Sequence, residues 1–126
     1  MQAAVFESSS IKAQGVLSKA TSRAARRLGL SGAALAKVLG LSEATVSRLK
    51  RGDWDVAPQS KEGQLAALLV RLFRSLDAVV GNDDGKVLAW MGSYNRALAG
   101  VPLELIESPQ GLVMTLQYVD GMRATS

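Results

Sequence analysis

Residues 30–52, LSGAALAKVLGLSEATVSRLKRG, decide how the rest of the chain is read. They divide into two short helical stretches on either side of Gly40. Leu35, Ala36, Leu39 and then Leu41 fall on one side of the first; Val46 and Leu49, three apart, share a face of the second. Gly40 stands where a sharp turn demands a residue free to take positive φ. Ser42 offers an N-cap oxygen, and Glu43 puts negative charge on the first turn, where the helix dipole favours it. Ala36 is small where the second helix must cross the first. Thr45, Ser47, Arg48, Lys50 and Arg51 lie outside the apolar set, so at least some of these hydroxyls and cations face outward. That chemistry suits a DNA major groove. The plainer alternative is a helical hairpin inside an all-α core, in which the same small and apolar residues simply pack.

Upstream, Ala13, Val16, Leu17, Ala20, Ala24 and Leu28 recur at helical spacing, which predicts a helix over residues 12–28. Gly15 weakens its start, so the firm part is expected from Val16. Lys19, Arg23, Arg26 and Arg27 form its outer face; they read as solvated charges, with Arg26 and Arg27 near enough to the next turn to reach phosphate. Residues 1–10 lack periodicity and read as a flexible arm. Gly29 ends the helix and Ser31 caps the next.

Downstream, residues 53–61, DWDVAPQSK, form a linker-like break, with Trp54 expected to pack over the first core. Leu65, Leu68, Leu69, Leu72, Phe73, Leu76, Val79 and Val80 then make the most regular stripe in the chain, over residues 62–80. A stripe this wide needs partners, from later helices or from a second copy. Asn82-Asp83-Asp84-Gly85 reads as a turn with helix-capping acids; no further acid at ligand spacing supports a metal site. A short helix with Val87 and Trp90 follows, then a turn at residues 92–95 and a break at Gly100. Pro102 begins another helical start, and Ser108-Pro109 opens a last helix carrying Leu112, Val113, Leu116 and Val119. Gly121 is expected to end it, leaving a short tail. The fold class is all-α, divided into an arm (1–10), a helix-turn-helix domain with linker (11–61) and a second helical domain (62–126).

The 126 residues are 48% hydrophobic, enough to fill a core. The absence of cysteine and histidine excludes disulfides, thiol chemistry, imidazole bases and most transition-metal sites. No nucleophile–base constellation is visible, so no catalytic residue, cofactor or metal ligand is assigned and no enzyme is expected. Charge is uneven. Residues 1–62 hold ten Lys and Arg against five Asp and Glu; residues 63–126 hold five against six. A basic front half implies a polyanion, and a near-neutral back half implies a protein partner or core. Nothing reads as a secretion signal or a membrane span, so the cytoplasm is the expected location.

The phrase Thr45-Val46-Ser47-Arg48, with Ala36, Gly40, Val46 and Leu49 at their relative spacing, resembles the helix-turn-helix of Xre- and Cro-type repressors. Residues 78–121, AVVGNDDGKVLAWMGSYNRALAGVPLELIESPQGLVMTLQYVDG, are similar to the toxin-binding domain of Xre/MbcA/ParS-like antitoxins. The matching positions are Trp90-Met91, Asn95, Leu98 with Gly100, Pro102-Leu103-Glu104-Leu105-Ile106, Gly111 and Gly121. Tyr94 stands where that family usually has Pro. Val101 stands where it usually has Thr, which removes a capping hydroxyl.

The resemblance implies an antitoxin that binds a cognate RES-domain toxin, an ADP-ribosyltransferase-like protein that attacks NAD. It would block that toxin's active-site entrance partly with its own C-terminal end, and repress its own operon as a homodimer on double-stranded operator DNA. On that reading Ser42, Glu43, Thr45 and Ser47 serve base edges or sugar-phosphate, and Arg48, Lys50 and Arg51 serve phosphates, with Arg48 reaching a guanine. Gln117, Tyr118, Asp120 and Arg123 are the candidate toxin contacts. The alternative is a stand-alone repressor whose second domain dimerises or senses an effector.

Overall fold

The computed structural model describes residues 2–125, with side chains from residue 11 onward. It is helical throughout: α1 (Gln2–Leu28), α2 (Gly32–Leu39), α3 (Glu43–Arg51), α4 (Lys61–Val79), α5 (Asp84–Gly92), α6 (Pro102–Leu105) and α7 (Pro109–Thr125). Among the described residues the nearest thing to a sheet is one isolated bridge between Asn95 and Gly100.

The helix-turn-helix forms as its local signals dictate. The Ser31 side chain accepts the Ala34 N–H at the start of α2, and Ser42 accepts the Thr45 N–H at the start of α3. Gly40 and Gly52 close the two helices in the left-handed region, at φ 70° and 80°. Leu35, Ala36, Val38 and Leu39 of α2 and Val46 and Leu49 of α3 are buried. Each capping serine contributes about 1 kcal/mol relative to alanine.

The central element is α4. It packs along α7 on one side and α1 on another, and it also meets α2. Leu69, Leu72 and Leu76 are fully buried, with Leu65, Leu68, Phe73, Val79 and Val80 partly so. The wide apolar stripe is therefore covered within the chain. One continuous buried cluster runs from Ala25 and Leu28 through Leu35 and Leu69 to Leu112 and Val119, so both halves share a core. The linker-like segment belongs to it: Val56 is fully buried, its N–H donating to Ser18 Oγ at 3.0 Å, and Trp54 lies half-buried against the core. Two surface ion pairs also join the halves, Arg27–Asp84 at 2.9 Å and Lys37–Glu107 at 3.7 Å. Pairs this exposed contribute little, about 0–1 kcal/mol each.

Two boundaries and one buried face differ from the sequence reading. Residues 2–10, read as an arm, have a helical backbone continuous with α1. No proline interrupts this stretch, and Gly15 is carried inside the helix. The buried face of α1 is also rotated: Ser18 and Thr21 are inside, whereas Val16 is 65% exposed. Both hydroxyls are satisfied, Thr21 by donating to the Leu17 carbonyl at 2.7 Å, so their burial is tolerated. Finally, α7 continues through Gly121 to Thr125 instead of stopping there. A mid-helix glycine costs about 1 kcal/mol relative to alanine. Half-buried Met122, packed against the core one residue later, offsets that cost.

Candidate functional site

The outward side of α3 is set by what its inward side buries. With Val46 and Leu49 buried, the helical period leaves Glu43, Ser47, Arg48 and Arg51 fully on the outer surface. Thr45 and Lys50 lie on opposite flanks of this face. On one flank a short chain of hydrogen bonds forms: Ser42 Oγ–H donates to Thr45 Oγ1 at 2.9 Å, and Arg48 Nη2 donates to the same oxygen at 3.2 Å. Thr45 thereby fixes the direction of the Arg48 guanidinium. Arg51 Nε donates to Asp53 at 3.1 Å, an exposed pair that solvent screens. All seven sequence-predicted residues thus lie on α3 or its cap, sorted into a central face and two flanks.

The flank carrying Lys50 turns toward α1. A cleft of about 490 Å³ separates α1 from the end of α3, lined by Lys19, Arg23, Arg26, Lys50 and Arg51. A second, of about 470 Å³, shares Ser22, Arg26 and Lys50 with the first and reaches Ser31 at the start of α2. Lys19, Arg23 and Arg26 were visible as a basic face of α1, but nothing local in the sequence says that it meets α3. Arg27, the other cation considered for phosphate, is instead engaged by Asp84.

In the C-terminal half the four predicted residues do not share one surface. Gln117 is exposed. Tyr118 is half-buried and stacks on Trp90, ring centroids 6.4 Å apart at an interplanar angle of 18°. Asp120 faces α4, accepting from Ser75 Oγ at 2.8 Å and from Arg71 at 3.0 Å. Arg123 leans the same way, 3.5 Å from Ser75 Oγ. Asp120 and Tyr118 therefore help seat α7 as well as standing near its end. The face that Gln117 shares at helical spacing carries Val113 and Met114, which are 38% and 40% exposed. Leu88 and Tyr94 are also exposed in this half. The sequence assigns none of these apolar side chains to a site and counts Val113 only among the apolar residues that the last helix carries.

Lower in the same half, Asn95 and Gly100 exchange two backbone hydrogen bonds, and Asn95 Oδ1 accepts the Leu98 N–H at 3.0 Å. This closes the loop that holds α5 beside α6. Val101 caps α6 without a side-chain hydrogen bond, as expected where a hydroxyl has been lost.

A cation-bearing second helix on a helix-turn-helix, joined through a shared core to a second helical unit with exposed apolar side chains, defines a DNA-binding regulator with a protein-binding half. Two family models match the chain in that order. One is described as the antitoxin Xre-like helix-turn-helix domain, over residues 10–71; the other as the antitoxin Xre/MbcA/ParS C-terminal toxin-binding domain, over residues 75–124. The chain belongs to the Xre-type antitoxins. The two matches meet inside α4, downstream of the break at residues 53–61 suggested by composition. No curated protein matches it. No helix among the described residues is long and apolar enough to cross a membrane.

Proposed function

We propose that this antitoxin acts in the cytoplasm, neutralises a RES-domain toxin and represses its own operon as a homodimer on an inverted repeat. The observation that carries the reading is the union, over one core, of an outward-facing α3 and a toxin-binding half. The RES assignment is supported by the resemblance of residues 78–121 to antitoxins whose partners are usually of that type. Half-sites would lie about 34 Å apart or a multiple of it.

In α3, Arg48 reads a base edge while Ser42, Glu43, Thr45 and Ser47 line its approach, and Lys50 and Arg51 serve phosphates. Arg48→Ala is expected to cost about 1–3 kcal/mol on operator DNA and relax specificity at one base pair. Binding titrations against operator duplexes varied one position at a time check this. Unchanged discrimination at every position would contradict the role given to Arg48.

On the toxin side, Gln117, with Val113 and Met114, presents the exposed face of α7, and Arg123 lies in the turn that would enter the toxin's NAD pocket. Tyr118 and Asp120 flank it from their seats on Trp90 and α4. Co-expression with the neighbouring open reading frame is the test, scoring growth and intracellular NAD. The full chain is expected to restore both. A chain cut after Gly121, shown by circular dichroism to be folded, is expected to restore neither. Full rescue by the cut chain would remove the helix end from the mechanism. A neighbour that leaves growth and NAD untouched would remove the RES assignment.

A further inference from the structure

We infer that the two joined clefts between α1 and the Lys50 flank of α3 form a second phosphate-binding track for DNA. Lys19, Arg23, Arg26 and Lys50 are its contacts. The inference rests on the reading that α3 enters the major groove, and extends the DNA footprint along α1 from Arg26, read from the sequence as within reach of phosphate, to Arg23 and Lys19, which the sequence read as solvated charges.

Lys19, Arg23 and Arg26 are spaced by four and three residues, so they line one face of α1. At about 1.5 Å rise per residue they span about 10 Å, which measured along the duplex axis is the rise of about three phosphates of one strand. All three line the cleft that Lys50 and Arg51 close from the other side. None of Lys19, Arg23, Arg26 and Lys50 forms an ion pair among the described residues. The acids nearby are Asp55, on the cleft wall, and Asp53, already engaged by Arg51. Gathering four unpaired cations around one trough is self-repulsive, and a polyanion relieves that repulsion.

The trough also leads toward the reading surface. It runs from α1 past Lys50 to the first turn of α2, where the Lys50 Nζ lies 3.6 Å from the place a Cβ on Gly32 would take. There the dipole of α2 adds positive potential. A backbone strand bordering the groove occupied by α3 would meet this flank. A small free anion would use one end of so long and open a trough, so the extended polyanion fits better.

The contacts carry no base information, so a random-sequence duplex tests them beside an operator duplex. The dependence of log K on log salt is measured from 50 to 200 mM for the full-length chain, for the double variant Lys19→Ala/Arg23→Ala and for Arg26→Ala. Each lost contact is expected to flatten the slope by about 0.9, so by about 1.8 for the double variant, equally on both duplexes. Operator preference should be unchanged. Arg27→Ala, whose side chain is held by Asp84, is the control and should leave the slope alone. Wild-type slopes retained by the variants would overturn the track while leaving DNA binding by α3 intact. A wild-type chain that binds neither duplex would overturn both. Loss of inorganic pyrophosphate binding in the variants, with DNA slopes unchanged, would make the trough a small-anion site and equally overturn the inference.

Discussion

Gly111→Ala is expected to destabilise the protein by about 3 kcal/mol or more, the upper end of what overpacking costs, and to lower its Tm by about 10 °C. A Cβ at Gly111 would fall on the Leu105 carbonyl oxygen, with the carbonyl carbon 2.8 Å away. Backbone cannot rotate aside as a side chain would. The close approach comes from the way α7 begins: Ser108 Oγ accepts the Gly111 N–H at 3.0 Å while the turn from α6 passes directly beneath. The same device opens α4, where Ser60 Oγ accepts the Gly63 N–H at 2.9 Å and the Ala57 carbonyl fills the Cβ position. Gly63→Ala should behave alike. Gly15 and Gly121 supply the contrast, because both are helical and a Cβ on either meets nothing within 4 Å. There alanine should follow ordinary helix propensity and stabilise by up to about 1 kcal/mol. Thermal melts of the four variants check the sign at each site. A Gly111→Ala protein melting at or above wild type would mean that α6 and α7 do not approach this closely.

The contrast shows what was legible in the sequence. Ser31, Gly40, Ser42 and Gly52 act within one turn of themselves, so residues 30–52 could be read from spacing alone, and the caps form where they were expected. Gly111 and Gly121 are the same residue type at similar spacing from helix signals. One is required by a carbonyl from the preceding turn; the other is merely tolerated because Met122 packs beyond it. Only tertiary contact separates them. The burial of Ser18 depends in the same way on Val56, 38 residues along the chain, and Asp120 is claimed by Ser75, 45 residues before it. Periodicity holds no information on such pairs. The candidate DNA site was legible by residue type on α3, while the meeting of Lys50 with the α1 cations came only from packing. The C-terminal candidates were placed by resemblance, and their separation around α7 follows from α4 and Trp90 lying on different sides of it.

A shared core has a thermodynamic consequence that two separate domains would not have. Leu69→Ala, at a fully buried site in the middle of α4, is expected to cost about 2–5 kcal/mol through lost burial and the cavity left behind. The loss should fall on both halves together, because α4 supplies core to α1 and α2 as well as to α7. The two tryptophans make this measurable: Trp54 follows α3 in the chain and packs against the core, and Trp90 stacks on Tyr118 of α7. Trp54→Phe and Trp90→Phe each leave one reporter, and urea transitions followed in the two backgrounds should coincide and shift equally on adding Leu69→Ala. A shift seen by Trp90 alone would instead mean that the halves unfold independently. If they are one cooperative unit, a toxin held by the C-terminal half protects the DNA-reading half too. At a free toxin concentration 100 times Kd, mass action adds about 2.7 kcal/mol, an amount that comparable destabilisation by Leu69→Ala would cancel. The toxin-bound variant should then melt near the free wild-type protein, whether it is followed at Trp54 or at Trp90.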